Sequence, residues 1–311
     1  MDQIEHKHIE VNGLKLHVAE IGNGSNAAVF CHGFPEIWYS WRHQMVAVAA
    51  SGYRAIAFDY RGYGLSDPPP VPEKTTFADL INDLHFLLDN LGISKAFLIA
   101  KDFGVRVAQF YAVLHPERVA GIVTLGIPLV PQRPAPFQEY LPEGFYISRW
   151  QEPGRAEADF GRLDPKTVVR NIYILFSRSE IPIAGETQEI MDLVDSSVPL
   201  PSWFTEEDLA TYGALYEKSG FKTALQIPYR SIKEVFNVAD TKVDAPALLI
   251  MGEKDYFIKF PGMEDYIRNE QAKHIAPNLK TIYIPEGSHF VQEQFPDQVN
   301  QLIINFLKNN S

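Results

Sequence analysis

The stretch "FLIAKDFGVRVAQFYAVLHPERV", Phe97–Val119, joins a short apolar run to a segment whose apolar residues have helical spacing. An ionisable pair, Lys101 and Asp102, lies at the junction. A strand that leads directly into a helix is the repeating unit of parallel sheets. The stretch therefore predicts a strand–turn–helix unit with two charged side chains at its turn. Three roles are open for the pair: a nucleophile on a tight turn, a salt bridge or a helix cap.

Similar apolar runs recur along the chain and alternate with segments of helical spacing. The runs are continuous, which is typical of strands that are buried on both faces of a parallel sheet. Between two of them, "TTFADLINDLHFLLDNLG" (75–92) has helical spacing and ends at Gly92, a residue suited to a helix C-terminus. We therefore predict an α/β protein with a mostly parallel, doubly wound sheet. The runs are "AAVFCHG" (27–33), "RAIAFDY" (54–60), "KAFLIA" (95–100), "VAGIVTLGI" (119–127), "APALLIMG" (245–252) and "LKTIYIPEG" (279–287).

Two regions depart from this alternation. Near the N-terminus, "KHIEV" (7–11) and "KLHVAEI" (15–21) flank Asn12-Gly13, which predicts a β-hairpin because both turn residues tolerate positive φ. The Pro-rich stretch "IPLVPQRPAPFQEYLPEG" (127–144) spans the start of residues 129–240, which continue as short helical segments. We therefore expect a core domain of residues 1–128 and 241–311, with a helical cap (lid) of residues 129–240 inserted between its strands. The clearest helical segments there are "DPKTVVRNIYILFSR" (164–178) and "TEEDLATYGALYEKSG" (205–220).

Composition restricts the partners and the compartment. The 311 residues carry a formal net charge of −11, which argues against nucleic acid or an anionic membrane as a partner. The one cysteine, Cys31, lies in an apolar run and is interpreted as a buried hydrophobic residue in a reducing compartment. No apolar run is long enough to cross a bilayer, and no secretory signal is recognised at the N-terminus. We therefore expect a cytoplasmic protein.

Three residues with catalytic chemistry follow three of the apolar runs. Asp102 follows the run at 95–100, Asp255 follows "ALLIMGEK", and His289 lies in "GSHF" after the last run. In open α/β sheets, sites form at the carboxyl ends of the strands. The order nucleophile, acid, histidine is the one found in α/β-hydrolases. Glu253, two residues before Asp255, is an alternative acid.

Several motifs together resemble the soluble epoxide hydrolases of the α/β-hydrolase fold, and the plant enzymes in particular. They are "HGFPEIWYSWRHQ" (32–44), "DYRGYGLSD" (59–67), the turn around Asp102, and "GSHF" (287–290). The resemblance covers nearly the whole chain, including the cap. It implies a cofactor-independent and metal-independent hydrolase that acts on a small hydrophobic epoxide. We expect a monomer or a homodimer.

The resemblance also implies a mechanism. "AKDFG" (100–104) replaces the Gly-x-Ser-x-Gly turn of serine hydrolases, and a carboxylate there can open an epoxide or expel a halide, forming an ester. His289 would activate the water that hydrolyses this ester, and Asp255 would orient the imidazole. The backbone N–H groups of Phe34 and Phe103 would bind the oxyanion. A structural helix cap is the alternative role for Asp102.

Two tyrosines indicate whether the leaving group is an epoxide oxygen or a halide. An epoxide oxygen needs an acid, and the family supplies it from two tyrosines of the cap. "GFYISRWQEPG" (144–154) and "KSGFKTALQIPYRSI" (218–232) resemble the corresponding segments, so the resemblance implies that Tyr146 and Tyr229 are the acids. Aromatic packing is the alternative role for both. Pro35 and Trp38 are candidates for the pocket wall, and a cis peptide bond is implied before Pro35.

Two residues depart from the family pattern of His before the nucleophile and Trp after it. Here the positions hold Lys101 and Phe103. Lys101 either lowers the pKa of Asp102 or points away from the pocket, toward another carboxylate or solvent. Phe103 lacks the indole that often binds a halide, which weakens a second interpretation, a fluoroacetate or haloalkane dehalogenase. A hydrolase-fold protein that only binds a ligand, and a cyclase, are also compatible with these residues.

Overall fold

The sheet has eight strands in the order β1-β2-β4-β3-β5-β6-β7-β8. The structure is a computed structural model that describes residues 3–132 and 141–311. β1 and β2 are antiparallel to each other, and β2 is antiparallel to β4, while the remaining neighbours are parallel. The mostly parallel sheet is therefore confirmed. The strands are β1 Glu5–Val11, β2 Leu14–Ile21, β3 Ala27–Cys31, β4 Arg54–Phe58, β5 Ala96–Lys101, β6 Val119–Leu125, β7 Ala247–Gly252 and β8 Leu279–Ile284.

The hairpin forms where the sequence predicts it. Asn12 has a φ of 52° and Gly13 a φ of 78°, and Val11 of β1 pairs with Leu14 of β2. The apolar runs are strands for the reason inferred from the sequence: every residue of β3, β5 and β7 is buried. Burial on both faces requires apolar residues at successive positions rather than at alternate ones.

Helices flank the sheet, with α1 packed against α11 and α2 packed against α3. Within residues 3–132 and 141–311, no helix is both long and apolar enough to cross a membrane. The helices are α1 Arg42–Ala50, α2 Phe77–Asn90, α3 Gly104–Leu114, α4 Tyr146–Gln151, α5 Arg155–Phe160, α6 Pro165–Phe176, α7 Glu206–Ser219, α8 Lys222–Leu225, α9 Met263–Arg268, α10 Val291–Gln294 and α11 Pro296–Asn310.

Helices α4–α8 lie between β6 and β7 in the chain, and we call them the helical insertion. Its two clearest predicted helices are confirmed as α6 and α7, which pack against each other. Asp164 accepts a hydrogen bond from the Thr167 N–H at the start of α6, and Thr205 and Asp208 form a reciprocal capping box at the start of α7. Residues 133–140, which belong to the Pro-rich stretch, lie outside the described residues.

A buried ion network joins the helical insertion to the helices of the sheet. Arg42 of α1 lies 2.6 Å from a carboxylate oxygen of Glu293 and 2.9 Å from one of Asp208 of α7. The Tyr173 hydroxyl of α6 donates to the other oxygen of Glu293 at 2.9 Å. Pairing and hydrogen bonding offset the desolvation penalty that buried charges pay, and breaking one pair would leave its partner uncompensated. The network therefore fixes how α6 and α7 sit over the sheet.

Gly104, the first residue of α3, brings the helix start close to the neighbouring strand. A Cβ atom at this position would lie 2.5 Å from the carbonyl oxygens of both Cys31 and His32. Real Cβ atoms do not come this close to backbone oxygen, so only glycine allows the helix to begin here. The position of the turn before α3 depends on this close approach.

We expect Gly104→Ala to lower the free energy of unfolding by about 3 kcal/mol, because backbone rather than a side chain must move. Gly92→Ala is the matched control. Gly92 has a φ of 67° but has no atom within 4 Å of its added Cβ, so only backbone strain of about 1 kcal/mol is expected. Urea unfolding of both variants measures the difference. Equal losses would contradict the close approach at Gly104.

Candidate active site

Asp102 occupies a strained turn between β5 and α3. Its φ of 51° lies in the left-handed region, which residues other than glycine rarely adopt. The Val105 N–H donates to the Asp102 carbonyl oxygen at 3.0 Å, which closes the turn. A Cβ at Gly33 would collide with the Asp102 side chain, so this glycine leaves room for the carboxylate. Such strain is concentrated at functional sites, and it raises the Asp102 side chain out of the sheet.

Asp102, Asp255 and His289 come together at the carboxyl ends of the parallel strands. His289 Nδ1 lies 3.0 Å from both carboxylate oxygens of Asp255, and His289 Nε2 lies 3.6 Å from Asp102 Oδ2. Asp255 and His289 are buried, while the Asp102 side chain is 18% exposed. Neighbouring strands β7 and β8 place Asp255 and His289 together. Glu253, the alternative acid, lies instead at the surface beside Arg268 at 3.6 Å.

The charges at this site offset the effect of burial. Burial raises the pKa of Asp102, but His289, the charge of Lys101 and the Phe103 N–H outweigh it and hold that pKa below its ordinary value. Burial lowers the pKa of His289, but the Asp255 carboxylate outweighs it and raises that pKa above 6.5. Asp102 is therefore ionised at neutral pH, as a nucleophile must be.

Two backbone donors face Asp102. The Phe34 N–H donates to Asp102 Oδ1 at 3.1 Å, and the Phe103 N–H also interacts with this carboxylate. The Phe34–Pro35 peptide bond is cis, as the family resemblance implies. Both N–H groups predicted for the oxyanion site therefore lie beside the same carboxylate. The other carboxylate oxygen of Asp102, Oδ2, faces His289.

A cavity of about 150 Å³ opens in front of Asp102, and both predicted tyrosines line it. Tyr146 begins α4, and Tyr229 lies on a π-helical turn, Gln226–Arg230, of the kind often found at functional sites. Their ring centroids are 6.0 Å apart and nearly perpendicular. Burial raises the pKa of both hydroxyls well above the ordinary value, so both remain protonated and able to donate.

A third tyrosine, Tyr256, also lines the cavity and was missed in the sequence. Its hydroxyl lies 3.2 Å from the Tyr146 hydroxyl, and its ring centroid lies 4.8 Å from that of His289. Tyr256 therefore connects a predicted acid to the catalytic histidine candidate. The signal available in the sequence was its position directly after Asp255.

Lys101 is fully buried and does not line the cavity. Its Nζ has no hydrogen-bond partner among the described residues and lies 5.5 Å from the centre of the Phe290 ring. A Cβ on Gly126 would lie 3.3 Å from this Nζ and 3.0 Å from Asp255 Oδ2, so Lys101 is placed behind the Asp255–His289 pair. Lys101 therefore points away from the cavity, as one expectation had it, but the packed strand ends keep it from solvent. Its charge lowers the pKa of Asp102 and also acts on a separate buried carboxylate, Glu36, where it opposes the effect of burial.

The two candidates for the pocket wall, Pro35 and Trp38, are not among the residues that line the cavity. The Trp38 ring packs instead against His6 and Tyr39, with ring centroids 4.7 Å and 5.6 Å away. The turn Trp38–Trp41 directs its side chains into the packed interior, which corrects this expectation. Phe103 does line the cavity, where it forms an aromatic wall beside Asp102.

The arrangement can deliver a carboxylate to an electrophilic carbon, protonate an oxygen and activate a water. The chemistry of the side chains allows Asp102 to be this carboxylate, Tyr146 and Tyr229 to be proton donors, and the His289–Asp255 pair to be a proton acceptor. Among residues 3–132 and 141–311, no group of three or more His, Cys, Asp or Glu side chains could hold a metal ion.

Comparison with a family model matches residues 27–296 to the α/β-hydrolase fold. The chain is 36% identical to epoxide hydrolase 1 of Siraitia grosvenorii over 99% of both chains. It is 31% identical to epoxide hydrolase A of Mycobacterium tuberculosis over 96% of both chains. These similarities extend across the helical insertion as well as the sheet.

Solved structures show the same similarity. A Vigna radiata epoxide hydrolase mutant superposes with a TM-score of 0.92 at 35% identity, covering 99% of this chain and 100% of the other. A laboratory-evolved variant of a potato epoxide hydrolase superposes with a TM-score of 0.89 at 32% identity, covering 98% of this chain and 99% of the other. The resemblance to plant epoxide hydrolases inferred from the motifs is thereby confirmed.

Proposed function

Because the chain belongs to the α/β-hydrolase fold family and, within it, to the epoxide hydrolases, we propose that it hydrolyses epoxides through an ester on Asp102. The observation that carries this proposal is the position of the Asp102 carboxylate, which shares one cavity with the hydroxyls of Tyr146 and Tyr229. The mostly apolar lining of the cavity supports a small hydrophobic substrate.

In the first step, Asp102 Oδ2 attacks a ring carbon of the epoxide. A C–O bond to Asp102 forms as the ring C–O bond breaks, and the electron pair of the broken bond passes to the epoxide oxygen. Tyr146 or Tyr229 donates a proton to this oxygen, which becomes the first hydroxyl of the product. The Phe34 N–H holds Oδ1, which leaves Oδ2 as the attacking oxygen.

In the second step, His289 takes a proton from water, and the resulting hydroxide attacks the carboxyl carbon of Asp102. The N–H groups of Phe34 and Phe103 bind the oxyanion that forms, and Asp255 stabilises the imidazolium. Collapse breaks the bond between the carboxyl carbon and Oδ2, the departing alkoxide takes the proton of the added hydroxide, and the diol leaves while Asp102 returns to a carboxylate. The imidazolium proton replaces the one that the tyrosine donated, so the net reaction consumes one water.

The paired tyrosines favour an epoxide over a halide as the leaving group. A departing halide needs only donors that solvate it, whereas an epoxide oxygen leaves as a strong base and needs a proton. Both tyrosines belong to the helical insertion, which supports residues 129–240 as a cap over a core of residues 1–128 and 241–311. The buried, unpaired Cys31 supports a cytoplasmic location.

A substrate panel tests the function. Wild type and Asp102→Ala are assayed with styrene oxide, stilbene oxide, epoxy fatty acids and terpenoid epoxides, and diol is measured. We expect diol from the wild type and none from the variant. Halide release from fluoroacetate and simple haloalkanes is measured in parallel. Halide release without any diol would contradict the proposal and favour a dehalogenase.

The ester hydrolysis step is expected to slow at acidic pH. His289 must be neutral to accept a proton, and the Asp255 carboxylate, which stays charged in the ester, raises its pKa, so its neutral fraction falls by about tenfold per pH unit below that pKa. Ester formation needs ionised Asp102, whose pKa is lowered from 3.8, and is expected to persist. Rapid-quench mass spectrometry should therefore show the ester accumulating near about pH 5. An ester hydrolysis rate that does not change between about pH 8 and about pH 5 would contradict the role of His289.

A further inference from the structure

A cation, Arg106, lines the cavity from the first turn of α3. Asp102 lines the same cavity from the turn before α3, so its carboxylate and the Arg106 side chain face one space. A substrate with its epoxide at Asp102 therefore extends toward this guanidinium.

Arg106 has hydrogen-bond donors that the described protein leaves unused. Its Nη2 donates to the backbone carbonyl oxygen of Glu234, but its Nε has no partner among the described residues. The Glu234 carboxylate is not that partner, because it accepts from the N–H groups of Phe77 at 2.6 Å and Ala78 at 3.3 Å, at the start of α2. The other polar residue of this wall, Gln109, is paired with both backbone groups of Val130 at 2.7 Å and 3.2 Å.

The surroundings of Arg106 are aromatic rather than acidic. The guanidinium carbon lies 5.0 Å, 5.1 Å and 5.5 Å from the ring centres of Phe77, Phe110 and Phe236. Burial lowers the pKa of Arg106, and the charge of Glu234 opposes this only in part. A half-buried guanidinium without a hydrogen-bonded counter-ion is costly, and an anionic ligand would compensate for that cost.

We propose that Arg106 forms a subsite for a carboxylate of the substrate, so that acidic epoxides are the preferred substrates. The inference rests on the proposed epoxide hydrolysis. The guanidinium is planar and binds carboxylates through paired N–H groups, which no other residue of this wall can do. It also offsets the repulsion between a substrate carboxylate and Asp102.

The test compares an acid with its neutral analogue of equal size. The substrates are the para and meta isomers of (oxiran-2-yl)benzoate and the matching primary amides. For the isomer that fits, we expect the wild type to favour the acid over the amide by at least about tenfold in kcat/KM. Arg106→Met should remove this preference, leave the amide within about threefold of wild type, and be partly rescued by Arg106→Lys.

Gln109→Met is the control, because it changes the same wall without removing a cation and should affect acid and amide equally. An equal loss for acid and amide in Arg106→Met would show that Arg106 only anchors the Glu234 loop, and would overturn the subsite. Calorimetric titration of the wild type and Arg106→Met with benzoate and benzamide tests the carboxylate subsite separately from epoxide hydrolysis. If no epoxide is hydrolysed but benzoate binding depends on Arg106, the subsite stands and the proposed function fails.

Discussion

Asp102→Asn is expected to lower kcat/KM for every epoxide substrate by at least about 10⁴-fold, because the reaction loses its nucleophile. The amide has nearly the shape of the carboxylate and keeps an oxygen acceptor for the Phe34 N–H. The fold should therefore persist. The lone pair of the asparagine amide nitrogen is delocalised, so the side chain does not attack a saturated carbon. Steady-state diol formation measures the loss, and circular dichroism checks the fold.

Glu253→Gln is the matched control for this experiment. Glu253 also follows β7, but it lies at the surface beside Arg268. Its neutralisation should leave kcat/KM within about twofold of wild type. Substantial residual activity in Asp102→Asn, above about one tenth of wild type, would contradict the nucleophile assignment.

The double variant Tyr146→Phe/Tyr229→Phe is expected to lower the rate of ester formation by about 10³-fold or more. Each phenol can protonate the departing oxygen, so each single variant should retain more activity than the double. Phenylalanine keeps the ring packing of both positions, including the contact of each ring with Trp150 at 5.2 Å and 5.0 Å. Single-turnover kinetics measures the ester formation rate directly.

Tyr266→Phe serves as the control for loss of a tyrosine hydroxyl. The Tyr266 hydroxyl donates to the carbonyl oxygen of Leu129 at 2.8 Å, and Tyr266 does not line the cavity. Its removal should leave ester formation unchanged within about twofold while lowering stability by about 1 kcal/mol. Wild-type rates in the double variant would refute the acid role and return both residues to aromatic packing.

The sheet could be predicted from the sequence because its signals are local. Continuous apolar runs identify β3, β5 and β7 as strands buried on both faces, and Asn12-Gly13 specifies a hairpin through backbone conformation alone. The ends of the runs that form β5, β7 and β8 also indicated Asp102, Asp255 and His289, since parallel strands bring their carboxyl ends to one edge.

The missed features depend on contacts between distant parts of the chain. The hydrogen bond between Tyr146 and Tyr256 joins residues 110 positions apart, and nothing near either residue indicates the other. The burial of Lys101 follows from how Gly126 and Phe290 close around it. Trp38 was expected at the pocket because of its nearness to Phe34 in the chain. Its direction is set by packing with His6, which the local pattern does not show.

The ester on Asp102 is the central claim, and a single turnover in ¹⁸O-labelled water tests it most directly. Enzyme in molar excess is mixed with an epoxide that it hydrolyses, and the peptide containing Asp102 is recovered for mass spectrometry. Water that attacks the carboxyl carbon of Asp102 leaves its oxygen in the carboxylate, so we predict one ¹⁸O in this peptide and an unlabelled diol. Labelled diol together with an unlabelled Asp102 peptide would show direct attack of water on the epoxide and would contradict the mechanism.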